Sequence, residues 1–444
     1  EIYKLWKKKR ELEPNLKNPG ASFVRIMTYV AEGGSSKPEK SKPKKKEKPK
    51  PKILKSPRKT GALPKVGNPT LLSPQFHPLE LVDAKLFVTN TASDTLDVVD
   101  VQKNEVILRI PVGVDPVCVK ARPDGKEIWV SNHISDSISV IDNNPANPTY
   151  LSVVATVQDI DPVLMTSRFD EPVGIAFADD SKAYVALSST NRVAIIDVKT
   201  RKVKGHLKIT SQEPRAIQVS NGKLYVLPFE SNNQTQLSGG KKEDLDGQQF
   251  TYVARELAGA FDSAGFTVDV IKHQDIPDRD LYVYDVKTDE LEKSVLSLGT
   301  LLFGLDVDSA GNVFVAHTDA RNHANGRAGT KGHGLKELEN RPYLNRVAKV
   351  SAQGEVDFIH LNPPLPGQPK RSEGLATPFA IEVTEGLICL TAAGSDRLVT
   401  LDPESGEILG RVKVGGVPRG IKLELDRQGK PKTAWVFNAV ENSL

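Results

Sequence analysis

The densest group of side chains able to ligate a metal or trade protons lies in "HTDARNHANGRAGTKGHGLKELENRPYLNRV", which begins at His317. It holds His317, His323 and His333 together with Asp319, Arg321, Asn322 and Asn325. Imidazole and carboxylate can bind a first-row metal, which makes His317, Asp319, His323 and His333 the metal candidates. The His spacings of six and ten residues match no compact ligand pair such as H-x-x-x-H. A hydrogen-bonded polar loop and a docking surface therefore compete with the metal reading.

Other catalytic patterns are missing from the sequence. Cys118 and Cys389, the two cysteines, each lie inside an apolar run and belong to no C-x-x-C-H, so covalent haem attachment is not encoded in these residues. Both read as buried thiols. Gly326, Gly329, Gly332 and Gly334 form neither a P-loop nor a G-x-G-x-x-G turn. There is no G-x-S-x-G elbow and no D-x-[DN]-x-[DN]-G calcium loop. Asp100, Asp142, Asp197, Asp285 and Asp402 look like a carboxylate set, but each closes the same local pattern, which predicts turn capping.

Those residues must be positioned by a repeated unit. Leu86 to Asp100, "LFVTNTASDTLDVVD", matches Ile128 to Asp142, "IWVSNHISDSISVID", position by position. The pattern returns at Ala183 to Asp197 and at Leu387 to Asp402. Two more copies, starting at Leu224 and Val313, have expanded elbows, and "AWVFNAVENSL" is a seventh start. Each copy continues with a strand such as "EVILRIPV" and another that opens near Pro or Gly, such as "DPVCVKA" or "EPVGIAF". Alternating apolar residues bounded by Gly, Asp, Asn and Pro predict strands and turns. Four antiparallel strands per unit of about 40 residues describe a propeller blade. The fold class is therefore all-β: a seven-bladed β-propeller with one short inserted helix. "NAVENSL" aligns with "NTASDTL", so the chain is expected to stop as the seventh blade's second strand begins, leaving that blade incomplete through truncation. "QFHPLELV", Gln75 to Val82, is expected to supply the fourth strand of that last blade and so close the ring.

The strands "LFVTN", "IWVSN", "DTLDVVD" and "DSISVID" resemble YVTN-family propeller repeats, which are common in bacterial and archaeal envelope proteins. The resemblance covers residues 75–444 and implies a periplasmic or extracellular location. It is nearly silent on chemistry, because one fold hosts many functions.

Residues 1–74 differ. Ala21 to Ala31, "ASFVRIMTYVA", reads as a strand, and 1–36 as the end of an unidentified upstream module. Between Lys37 and Lys59 there are twelve Lys or Arg against two Glu, so this stretch carries +10 of a net +4 and the remainder is about −6. Such a Lys/Pro tract is a stiffened, solvated spacer, which gives a linker over 37–74. It lacks the aromatics that stack on bases, which argues against specific nucleic-acid binding and leaves contact with an anionic cell envelope open. No run approaches the ~20 apolar residues of a transmembrane helix.

Strands in a blade alternate up and down, so the insertions Phe229 to Pro277 and Thr318 to Tyr343 should share a face with the long connections Gln158 to Asp170 and Leu361 to Ala376. Val253, Leu257, Ala260, Phe261 and Ala264 fall at helical spacing in the first insertion. Candidate residues on this face are His133, His273, His317, Asp319, Arg321, Asn325, His333 and Arg371. The primary functional expectation is a non-catalytic binding or docking module of a larger secreted or periplasmic protein, facing a protein partner or an adjoining domain, with no cofactor of its own. The resemblance also implies an alternative, a scaffold for a peroxidase-like cytochrome c domain carrying haem c beyond these residues. A third is a lactonase-like hydrolase using His133, His317, Asp319 and Arg321.

Overall fold

The computed structural model describes residues 73–230, 235–238, 268–271, 279–321, 338–339 and 341–444. The predicted helix, His273, His323, Asn325 and His333 lie outside them. Each repeat folds as an antiparallel meander because its alternating residues bury both faces of a strand while its polar elbows turn the chain.

The first sheet is β1 (Leu79–Val82), β2 (Lys85–Asn90), β3 (Thr95–Asp100) and β4 (Glu105–Pro111). The second is β5 (Pro116–Ala121), β6 (Glu127–Asn132), β7 (Ser137–Asp142) and β8 (Val153–Val157). The third is β9 (Pro172–Phe177), β10 (Lys182–Leu187), β11 (Arg192–Asp197) and β12 (Lys202–Lys208). In the fourth, β13 (Gln212–Ser220) and β14 (Lys223–Glu230) are followed by a separate ribbon, β15 (Thr235–Ser238) with β16 (Val268–Ile271). That sheet then resumes with β17 (Leu281–Asp285) and β18 (Leu291–Val295). The fifth is β19 (Leu301–Val307), β20 (Val313–Ala320), β21 (Tyr343–Val350) and β22 (Val356–His360), joined to the fourth by one pair, Glu230 with Leu301. The sixth is β23 (Pro378–Thr384), β24 (Leu387–Ala392), β25 (Arg397–Leu401) and β26 (Ile408–Lys413). The seventh has two strands, β27 (Pro418–Leu425) and β28 (Pro431–Asn438).

The innermost strands β1, β5, β9, β13, β19, β23 and β27 pack in that order, and β27 packs on β1 to close a ring. Apolar side chains fill the spaces between sheets. Phe87, Leu96, Val119 and Ile128 pack between the first and second sheets, and Leu79, Val88 and Phe437 between the first and seventh. Each such side chain contributes about 1.5–3 kcal/mol on burial, more than the net worth of a typical hydrogen bond.

One expectation is corrected. Gln75 to Val82 does not complete the last sheet: β1 pairs with β2 and completes the first. The reason is local. Only Asp83 and Ala84 separate β1 from β2, and so tight a turn pairs the strands that flank it. Every strand that opens near Pro therefore belongs with the sheet that follows it.

Adjacent sheets are also latched by one recurring hydrogen bond. Asp94, Asp136, Asn191 and Asp396 end the elbow between second and third strands in left-handed conformation, with φ of 54°, 49°, 52° and 51°. Asn and Asp tolerate that conformation. Their Oδ1 atoms accept the backbone N–H of Asp115, Glu171, Glu213 and Val417, each at the start of the next sheet, over 2.8–3.0 Å. Where the elbow is expanded, a residue at or just before the third strand takes over. Asn345 accepts from Thr377 at 2.8 Å and Asp280 from Leu298 at 2.6 Å. The other aspartate row caps turns as predicted: Asp100, Asp142, Asp197, Asp285 and Asp402 each accept a backbone N–H two or three residues on.

Candidate functional site

In these meanders the second-to-third connections and the sheet-to-sheet connections emerge on one face. Among the described residues, the large apolar side chains exposed within inter-strand connections are all on that face: Val114, Ile134, Ile160, Leu296 and the run Val163, Leu164 and Met165, the last three 85%, 71% and 75% exposed. The run is presented by an ordered loop. Asp161 accepts the N–H groups of Val163 and Leu164 at 2.8 and 2.9 Å and pairs with Arg168 at 2.6 Å. The Leu164 N–H, the Arg168 side chain and the Val163 N–H hold the Asp161 carboxyl down at about 2.

The channel at the centre of the ring is polar at both ends. Sheet register places Glu80, Lys120, Ala176, Gln218, Asp306, Glu382 and Lys422 at equivalent positions of the seven innermost strands, at the end away from the long loops. All of them but Glu80 line a cavity of about 410 Å³. Lys422 lies 3.5 Å from Glu80 and 3.4 Å from Glu382, and Lys120 is 3.7 Å from Glu80. Asp306 accepts from Gln218 at 2.8 Å and from the Val383 N–H at 2.7 Å. Burial opposes the charge on Lys422, but Glu80, Glu382 and Asp306 outweigh it and raise the amine well above its ordinary range. Burial raises Glu382 and Asp306 as well.

At the loop-face end the same strands present Arg215, Phe303, Phe379 and Arg419, and β14 adds Phe229. The Arg215 guanidinium stacks 3.7 Å from the Phe229 ring centre, and that of Arg419 lies 5.3 Å from the Phe379 ring centre. Phe229 and Phe303 are 5.6 Å apart and Phe303 and Phe379 5.2 Å, so three half-buried rings span the arc between two guanidiniums. Arg215 pairs with Glu213, and Arg419 donates to the Ser73 carbonyl at 3.1 Å. Burial lowers both arginines; the Arg215 charge lowers Arg419 further. Phe303 also walls a groove of about 590 Å³ lined by Thr318, Arg341, Tyr343, Asn345 and Gln368.

The residues singled out from sequence are dispersed. His317 is fully buried inside its sheet, paired in register with Leu302 and Arg346, and burial followed by the Arg346 charge drives its imidazole down to about 3. Asp319 binds Arg346 at 2.6 Å. Arg321 donates to the carbonyls of Leu338 and Arg341 and so ties the base of the second insertion. His133 is buried in its elbow with Nε2 3.9 Å from Glu171, and Arg371 is exposed on the connection before the sixth sheet. The structure thus does not bring His133, His317, Asp319 and Arg321 to one point. Among the described residues no three His, Cys, Asp or Glu side chains are placed to hold a metal ion. Cys118 and Cys389 are buried and free, their thiols pushed up by burial to about 12 and about 11, unsuited to thiolate chemistry.

Sequence reasoning missed Arg215, Arg419 and Phe379. The available signal was their slot: each follows the proline that opens an innermost strand, in "EPRAIQV", "VPRGIKL" and "TPFAIEV", where other copies carry Val.

No protein-family model matches the chain, and no curated protein matches it in sequence. Solved structures do. Hydrazine synthase of Kuenenia stuttgartiensis superposes with a TM-score of 0.60 at 17% identity, over 86% of this chain and 97% of that one. Virginiamycin B lyase of Staphylococcus aureus, solved in selenomethionine form, gives 0.52 at 12% identity, over 84% and 95%. At such identities the likeness speaks for architecture alone. With the ring of antiparallel sheets, it makes the described region a β-propeller.

Proposed function

We propose that this propeller is a binding module of the YVTN type, working outside the cytoplasm, whose partner or ligand engages the loop-rich face. One observation carries the reading. Apolar side chains exposed in connections concentrate on that face, with Val163, Leu164 and Met165 held out by an Asp161-locked loop. Exposing apolar groups from an ordered loop is costly in water and recovered on contact, as at protein-interaction sites. Among the described residues no helix is long and apolar enough to cross a membrane.

Photo-cross-linking tests this. A photoreactive residue is placed at Ile134 or Leu164 on the loop-rich face, and at Lys287 or Glu385 in turns of the opposite face. After irradiation in the native extract, discrete adducts should form from Ile134 and Leu164 and not from Lys287 or Glu385. The reverse pattern would remove the reading.

A further inference from the structure

We propose that the loop-face mouth of the channel binds a small organic oxyanion, its charged group between Arg215 and Arg419 and its apolar body against Phe303 and Phe379. This rests on the reading of the loop-rich face as the binding face and names a ligand class for its centre.

Arg215 and Arg419 occupy the same bulged slot of the innermost strands of the fourth and seventh sheets and stand at the two ends of the phenyl arc, and the charge of Arg215 bears on Arg419. Like charges drawn into a partly desolvated mouth repel, and a shared anion relieves that repulsion. Arg215 uses an Nη atom on Glu213, while its buried Nε has no hydrogen-bond acceptor. Carboxylates bear on Arg215 but not equally. Glu213 is in contact and 44% exposed at its side chain, and the charges of Glu230 and Glu171 bear on Arg215 less strongly. A guanidinium offers five donors in a planar fork, so one contact with Glu213 leaves capacity for a second oxyanion.

The apolar half follows from Phe229, Phe303 and Phe379. All three stay half-buried rather than joining the core, and they form one continuous arc between the arginines. Phe303, Phe379 and Arg419 line one cleft, and Phe303 also borders the 590 Å³ groove beside it. A guanidinium stacked on a phenyl face keeps its N–H donors in its own plane, pointing past the ring. An inorganic ion would use the donors and leave the rings wet. An aromatic carboxylate uses both.

The experiment is calorimetric titration of the full chain with 2-naphthoate, with the neutral 2-naphthalenemethanol and inorganic phosphate as comparators. Naphthoate should saturate one site, and both comparators should bind at least about tenfold more weakly. Arg419→Gln, which keeps a donor for the Ser73 carbonyl, should weaken naphthoate by about tenfold or more, the loss of one charge-assisted hydrogen bond. Phe379→Ala should weaken it too. Melting curves identify any variant that fails to fold; the neutral comparator on the unaltered chain then decides alone. No saturable binding, equal binding of the neutral comparator, or unchanged affinity in a folded Arg419→Gln protein would each overturn the proposal. Those results would leave the Ile134 and Leu164 cross-links standing, whereas loss of the cross-links with naphthoate still bound would remove only the docking reading.

Discussion

His317 shows why residue type is a poor guide to role. Its imidazole is buried beside Arg346 and titrates near 3, against an ordinary value of 6.5. Below pH 6.5 the unfolded chain therefore takes up a proton that the native state refuses until about pH 3. Stability falls across that window with a slope approaching 1.4 kcal/mol per pH unit from this group. Urea unfolding at pH 7 and pH 4 should show a smaller loss in His317→Leu than in the unaltered chain. Equal losses would mean that His317 titrates normally. His77, His206 and His360 are also lowered by burial, so part of the slope will remain. Lys422 is the opposite case, a buried charge held by Glu80 and Glu382. Lys422→Met should destabilise the protein by roughly 3–5 kcal/mol, because it strands carboxylates in the channel. A loss below ~1 kcal/mol would show that those carboxylates are already neutral or hydrated.

At the scale of elements, the sheets are joined by an elbow Asp or Asn that accepts an N–H from the next sheet. Asp136→Ala should cost about 1–3 kcal/mol in urea unfolding, since the part-buried Glu171 N–H loses its acceptor. Asp136→Asn should cost far less, because Asn191 and Asn345 already fill this role. Equal costs for both would reduce the latch to a charge effect. The repeat itself is legible, because the alternation and elbow of Leu86 to Asp100 recur at Ile128, Ala183 and Leu387. Its phase was not read correctly. Periodicity alone does not say whether "PVCVKA" pairs with the strand before or after it, and the tight turns that decide it carry no apolar signal. The ribbon β15–β16 was also missed, since its four-residue strands sit inside a polar insertion too short to show alternation. Of the candidate site, the one-sided loops could be inferred from strand direction. The Arg215, Phe303, Phe379 and Arg419 arc leaves only the post-proline slot of Arg215, Phe379 and Arg419 as a signal, because it assembles from four sheets spread over 200 residues of sequence.

At the scale of the molecule, a closed ring fixes where every loop can go. The innermost strands approach so closely that a Cβ on Gly304 would come within 2.5 Å of the Phe379 carbonyl oxygen. Small residues at that slot let the ring close tightly, and the rigid ring then holds long loops on one side and short turns on the other. That asymmetry is what gives the ring a working face. The most direct measurement is size-exclusion chromatography with light scattering of the protein isolated from its native extract. The unaltered chain is compared with a triple variant, V163S/L164S/M165S, and with a control altered in the opposite-face turn, Lys287→Ser. The triple variant should lose the associated mass while melting like the unaltered chain, and the control should keep it. If the triple variant retains its partners and the control sheds them, the working face of this propeller is the other one.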